Sequence, residues 1–297
     1  MSFLADELAS QPSQWAALAE RADEIGAILP EAGQRVAAVG CGTSWFMAQA
    51  YASLRESLGA GETDAYTPTE FPAQRDYDRV VLITRSGTTT EVIRLLHELT
   101  GSGTAVVSIV AAPGTPAATG ADATLLLSQA DERSVVQSRF ATTALAALRL
   151  SLGQDLGVAI TQAQDIVDTS DDRLFSALVD VEQVTFLGTG FGIGLAHEAA
   201  LKVREAAQLW TESYSAMEYR HGPISIAAPG RAVWLLGHAP DGLLDDLANT
   251  GVHVEHHGAI DPMAELVRAH RYALMRALAA GVDPDRPRNL TRSIILT

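Results

Sequence analysis

The feature that most constrains this chain is a plan stated twice. Val36-Ala37-Ala38-Val39-Gly40-Cys41-Gly42 returns as Val184-Thr185-Phe186-Leu187-Gly188-Thr189-Gly190. Arg79-Val80-Val81-Leu82-Ile83-Thr84 returns as Arg231-Ala232-Val233-Trp234-Leu235-Leu236, and the run Ala105 to Val110 as Val252 to His256. The offset is roughly half the chain each time, the signature of a duplicated domain. All but Val252 to His256 are short, largely apolar runs of the kind that form a buried strand. Strands alternating with runs of helical spacing predict parallel sheets covered on both faces by helices. Residues 1 to about 30 read as helix, and the runs Ala141 to Leu152 and Ile160 to Val181 as the connection between the halves. The expected fold is α/β: two doubly wound parallel-sheet domains in tandem, over residues 1–160 and 161–297.

The halves differ where it matters chemically. In the first, the strand Val80 to Ile83 turns through Thr84-Arg85-Ser86-Gly87-Thr88-Thr89 into a helical run from Thr90. The first N–H groups of a helix have no partner inside it, and the dipole there is positive, so such a turn can bind an anion. Five hydroxyls and one guanidinium exceed what a single helix cap needs, although capping alone is the plainer alternative. No Gly-Lys pair precedes the helix, so this is not a Walker loop. The corresponding turn in the second half, Gly237-His238-Ala239-Pro240-Asp241-Gly242, is acidic and broken by proline, a poor anion cradle. One phosphate site is therefore expected, in the first half.

Composition narrows the class. With 47% apolar residues in 297, a sizeable core is available. The net charge of −15 argues against nucleic acid and anionic membrane as partners. Cys41 is the only cysteine, so no intrachain disulfide is expected. The start of the sequence lacks the basic and apolar regions of a signal peptide, and no apolar run reaches membrane-spanning length. A cytoplasmic protein is the expectation.

The densest chemistry lies in His197-Glu198-Ala199-Ala200-Leu201-Lys202-Val203-Arg204-Glu205, followed by Arg220-His221-Gly222-Pro223. Glu198, Lys202 and Glu205 share one helix face at spacings of four and three. Either this is an exposed ion-pair face, or Glu205 moves a proton while Lys202 stabilises negative charge on oxygen. Lys202 is the only lysine in the chain. His253, Glu255 and His257 alternate on one strand face; metal binding is one reading, a half-exposed polar strand the other, and no metal is expected. Neither glycine-rich turn carries the full dinucleotide fingerprint, because Trp45 and Ile193 stand at the third glycine position. No cofactor is expected.

Several motifs occur in one order: Gly40 to Ser44, Thr84 to Glu91, Glu198 to Glu205, Arg220 to Pro223 and Pro287 to Ser293. In this the chain resembles the sugar isomerase (SIS) family, and within it most nearly the isomerase half of glucosamine-6-phosphate synthases. The resemblance implies two tandem SIS domains, each a flavodoxin-like three-layer sandwich, and a homodimer acting on a phosphorylated sugar. It places the phosphate on Thr84, Arg85, Ser86 and Thr89, with Gly42, Thr43 and Ser44 nearby. Val135 and Gln137 would touch sugar hydroxyls. Glu205 resembles the family's general base, Lys202 the lysine that steadies the enediolate, and His221 the ring-opening histidine contributed across the subunit interface. The synthase has an imine-forming lysine near its C-terminus; this sequence has Arg292 there, which is counted among the substrate contacts. The implied activity is aldose–ketose isomerisation of a sugar 6-phosphate, an amino sugar in the first instance and with loss of ammonia as an extension. A fructosamine-phosphate deglycase and a non-catalytic phosphosugar sensor are the alternatives.

Overall fold

The computed structural model describes residues 2–296. Among them nine strands form two sheets, and every paired strand runs parallel to its neighbour. The first sheet contains β1 (Val36–Gly40), β2 (Thr63–Tyr66), β3 (Arg79–Ile83), β4 (Ala105–Val110) and β5 (Ala123–Leu126), in the order β2-β1-β3-β4-β5. The second contains β6 (Gln183–Gly188), β7 (Trp210–Ser215), β8 (Arg231–Leu236) and β9 (His253–His256), in the order β7-β6-β8-β9. The second order repeats the first strand for strand and stops one strand short. This is the α/β architecture with parallel sheets that the sequence predicts.

The central strands are buried along their whole length, Val36 to Gly40 and Gln183 to Gly188 alike. That explains their largely apolar composition, and the two polar side chains of the second strand, Gln183 and Thr185, bond to each other at 2.8 Å. In the first sheet Val39, Val80, Leu82 and Val106 pack with Val92, Leu95 and Leu96 of the helix Thr90–Leu99. Each such side chain contributes about 1.5–3 kcal/mol by leaving water. In the second sheet Leu187, Val233 and Leu235 pack with Leu243 and Leu247.

Two strands were not foreseen, β2 and β7. Each is the edge strand beside the first strand of its sheet. Their sequences, Thr63-Asp64-Ala65-Tyr66 and Trp210-Thr211-Glu212-Ser213-Tyr214-Ser215, are polar because an edge strand is only partly covered. The expected N-terminal helix is broken into Phe3–Ala9, Gln11–Ala17 and Ala22–Ile28. The first ends at Ser10, and Pro12 opens the second, where a missing N–H costs nothing.

The chain divides into two compact units whose limits differ from 1–160 and 161–297. One comprises Ser13–Gly157 with the segment from Asn289 onward, the other Val158–Arg288 with the segment up to Pro12. The cause is pairing of the chain ends. The N–H groups of Phe3 and Leu4 donate to the Asp285 carboxylate at 2.8 and 3.0 Å, which ties the first helix into the second unit. The N–H of Thr90 donates to the Ile294 carbonyl at 3.1 Å, which returns the C-terminal segment to the first unit. Among the described residues no helix is long and apolar enough to cross a membrane.

Candidate functional site

Parallel pairing fixes where the turns of the first unit lie. Gly40 of β1 is level with Ile83 of β3, so the turns after these two strands leave the same edge of the sheet. Ligands of such sheets bind beyond that edge. Gly42, at φ 54° and ψ −124°, leads into the helix Thr43–Ser57, and Thr43 and Ser44 are buried in its first turn. Gly87 has φ 64°, and a Cβ there would come within 2.0 Å of the Thr115 hydroxyl. Only glycine turns the chain at that point without displacing Thr115.

The hydroxyl turn is built differently from a capped helix. No side chain caps the helix Thr90–Leu99. Instead Ser86 donates to the Ser293 hydroxyl at 3.1 Å, and the hydroxyls of Thr88 and Thr89 lie 3.2 and 3.4 Å from the same oxygen. The Ser86 hydroxyl also accepts from the N–H of Thr88 at 3.2 Å. Three hydroxyls of the turn thus converge on one oxygen of the C-terminal segment, beside a helix N-terminus.

Arg85 does not belong to that cradle. Its side chain is 3% exposed, and its guanidinium donates to the carbonyls of Ser134, Val135 and Arg292 at 3.0, 3.5 and 3.1 Å. It also lies 3.6 Å from the fully buried carboxylate of Glu132. Burial requires this positive charge to be paired, and inward pairing satisfies it. Arg292 is likewise turned to protein, bonding the Glu132 carbonyl and the Asp131 carboxylate. Both arginines, expected among the ligand contacts, instead join the C-terminal segment to residues 131–135.

Sequence reasoning missed Glu132. Its carboxylate accepts from the N–H groups of Ser138, Arg139 and Phe140 and from the Ser138 hydroxyl, at 2.7, 2.7, 3.2 and 3.0 Å. An anion at the start of the helix Arg139–Ser151 is stabilised by its free N–H groups. This fixes the preceding segment, where Ser134, Val136 and Ser138 are buried while Val135 and Gln137 remain half-buried. Ser44 donates to Gln137 at 3.4 Å, so two expected contact residues meet. Thr84 is buried at the end of β3. Cys41 is half-buried, and burial followed by the nearby Glu91 pushes its thiol up to about 11, which makes it unreactive.

The second unit carries the charged residues. On the helix Gly192–Ala207 the Lys202 ammonium lies 3.2 Å from Glu198 and 3.0 Å from Glu205. Glu198 and Lys202 are 0% and 1% exposed, whereas Glu205 is 20% exposed. An exposed ion-pair face is therefore excluded. The outer carboxylate alone reaches solvent, and the cation behind it is held on both sides. The start of this helix packs closely on the sheet: a Cβ at Gly188 would meet the Gly192 backbone, and one at Gly192 the Leu236 carbonyl. His221 ends a short 3₁₀ turn, Glu218–His221, and is exposed. His197, on the same long helix, meets the Ser213 hydroxyl of β7 at 2.9 Å; burial, then Arg204, holds its imidazole below its ordinary value.

The histidine-rich strand is organised by Arg268. Its guanidinium pairs with Glu255, lies 3.3 Å from Glu265, bonds His257, and stacks over the Trp234 ring at 5.3 Å. His256 faces the Gly237 carbonyl at 3.1 Å. Among the described residues no group of three or more His, Cys, Asp or Glu side chains is placed to hold a metal.

Comparison with known proteins agrees with this layout. Residues 28–151 match the SIS domain model. The glutamine–fructose-6-phosphate aminotransferase (isomerizing) of Bacillus subtilis is 25% identical over 91% of this chain and 53% of its own length. That of Pyrococcus horikoshii is 28% identical over 72% of this chain and 43% of its own length. The chain thus spans about half the length of the curated relatives it matches. In fold it is similar to the glucosamine-6-phosphate deaminase of Thermotoga maritima, with a TM-score of 0.84 at 21% identity, over 99% of this chain and 100% of the other. It is also similar to the tagatose-6-phosphate ketose/aldose isomerase of Escherichia coli, with a TM-score of 0.78 at 20% identity, over 100% and 96%. Residues 28–151 are thus similar to a SIS domain, and most of the chain is similar to about half of the glutamine–fructose-6-phosphate aminotransferases.

Proposed function

We propose that the chain is a phosphosugar isomerase that interconverts an aldose 6-phosphate and its ketose, with an amino sugar as the substrate. The observation that carries this reading is the Lys202 ammonium, buried between Glu198 and the half-buried Glu205. A base open to solvent beside a fixed cation suits proton abstraction next to a carbonyl. Both units count as SIS domains in this reading, and the protein acts as a cytoplasmic homodimer.

The phosphate is held by the hydroxyls of Ser86 and Thr89, with Thr84 and the helix start at Gly42, Thr43 and Ser44 in support. Val135 and Gln137 contact sugar hydroxyls. His221, supplied across the dimer interface, protonates the ring oxygen as the ring opens. Glu205 then removes the proton on C2, and the electron pair moves to the C1 oxygen as an enediolate. Lys202 stabilises that oxyanion. Glu205 returns the proton to C1 while the C2 hydroxyl passes its own proton to the C1 oxygen, which leaves a ketone at C2 and a hydroxyl at C1. With an amine on C2 the same shift gives a C2 imine, which water cleaves to ketone and ammonia. Arg292 pairs with Asp131 and the Glu132 carbonyl, so it anchors the C-terminal segment and forms no bond with the sugar.

A screen of hexose and hexosamine 6-phosphates by thermal shift, followed by ketose and ammonia assays on every ligand that binds, tests this. Turnover of at least one ligand is expected. Binding without turnover would make the chain a sensor.

A further inference from the structure

The charged row on the helix Gly192–Ala207 does not end at Glu198. His270, from the helix Pro262–Ala279, places its Nε2 3.5 Å from the Glu198 Oε1. Both side chains are 0% exposed. The result is a continuous series, Glu205, Lys202, Glu198, His270, that runs from a half-buried carboxylate to an imidazole inside the unit. His270 is flanked on its own helix by Leu266, Val267, Ala269 and Ala273, all buried. A polar ring among such neighbours costs folding free energy unless it is paired, and the Glu198 carboxylate is the charged group within its reach.

We propose that His270 is a positioning residue for Lys202, acting through Glu198. The imidazole holds the Glu198 carboxylate in the orientation that keeps the ammonium 3.2 Å away. Lys202 is thereby shared between two carboxylates and does not pair with Glu205 alone, which leaves Glu205 available as a base. Arg204, on the same helix, is in electrostatic contact with both carboxylates of the row. The proposal rests on the reading of Lys202 as the cation of the site.

The test uses the fact that Lys202 is the only lysine. A chain labelled with ¹³C,¹⁵N-lysine gives one side-chain signal, which needs no assignment. Its chemical shift followed against pH reads the ammonium directly and requires no substrate, so it tests His270 whether or not the chain turns over a sugar phosphate. In His270→Leu the Lys202 midpoint is expected to fall by about one pH unit or more, since one of two opposite charges is no longer held in place. His270→Gln, which keeps a side-chain donor of similar reach, is expected to restore most of that shift. Glu198→Gln is expected to lower the midpoint as His270→Leu does, and the double variant to go no further than either single one. If the leucine variant fails to fold, His270→Asn against His270→Gln makes the same comparison, because the shorter amide does not reach Glu198. A Lys202 midpoint that is the same in every folded His270 variant would overturn the proposal, as would additive shifts in the double variant.

Discussion

The Ser86 hydroxyl donates to the Ser293 hydroxyl across 3.1 Å, joining the turn after β3 to the C-terminal segment. Thr88 and Thr89 converge on the same oxygen. A phosphate oxygen in that place would meet the same donors. Hydrogen bonds to charged groups are worth about 1.5–3 kcal/mol each. Ser86→Ala combined with Thr89→Ala is therefore expected to weaken a sugar 6-phosphate at least a hundredfold, by roughly two such bonds, and to leave the unphosphorylated sugar unaffected. Calorimetry with both sugars checks it; equal losses would remove the phosphate from this turn.

Arg85 is expected to matter for stability and not for phosphate affinity. Its guanidinium joins the buried Glu132 to three backbone carbonyls. Removing one partner of a buried pair costs about 3–5 kcal/mol. Urea unfolding of Arg85→Met should show a loss of that order. A variant as stable as the original, with phosphate binding abolished, would return Arg85 to the ligand.

Most of the architecture is legible in the sequence because buried strands must be apolar throughout. Val80 to Ile83 and Arg231 to Leu236 announce themselves for that reason. β2 and β7 stay hidden because Thr63-Asp64-Ala65-Tyr66 and Thr211 to Ser215 have the composition of loops, and only pairing with β1 and β6 makes them strands. In the candidate site, residue type and spacing identify the turn at Thr84 to Thr89 and the row Glu198, Lys202, Glu205. Spacing does not give direction of a side chain. Arg85 counts as a phosphate contact by charge alone, yet the carbonyls that claim it come from residues 134, 135 and 292. Ser293 and His270 were missed because each acquires its role from a residue far away in the sequence, and Glu132 because its partners are mainly backbone N–H groups, which residue type does not mark. No local signal marks His270, because Glu265, Arg268 and Arg271 stand close to it on the same helix.

His197 supplies a pH dependence. Burial and Arg204 lower its pKa, so the folded state prefers the neutral ring. As pH falls through the ordinary histidine range, near about 6.5, the unfolded chain takes up the proton first. This contribution is complete above that range and is lost as pH falls toward the lower folded-state value. Stability measured by urea unfolding from about pH 7 to about pH 5 should therefore decline less in His197→Gln than in the original chain. An identical decline in both would contradict the burial of a neutral ring.

Lys202 is expected to form no covalent bond with substrate. An imine needs a neutral amine, and this ammonium lies between two carboxylates at 3.2 and 3.0 Å, which favour its charged form. Arginine cannot replace it, because a guanidinium stays protonated. Borohydride added during turnover should leave the intact mass unchanged. A reduced sugar adduct on Lys202 would make that residue a covalent catalyst.

The central claim is that Glu205 moves a proton between adjacent carbons of a bound sugar phosphate. Proton NMR in D₂O reads this step even when equilibrium hides net conversion. With a ligand identified by thermal shift, the original chain should place solvent deuterium on C1 or C2 of the sugar. Glu205→Gln should bind the same ligand and exchange it about 10²–10⁴-fold more slowly, the usual cost of losing a general base. A ligand that binds the original chain with no deuterium appearing at either carbon, or exchange undiminished in Glu205→Gln, would contradict the account.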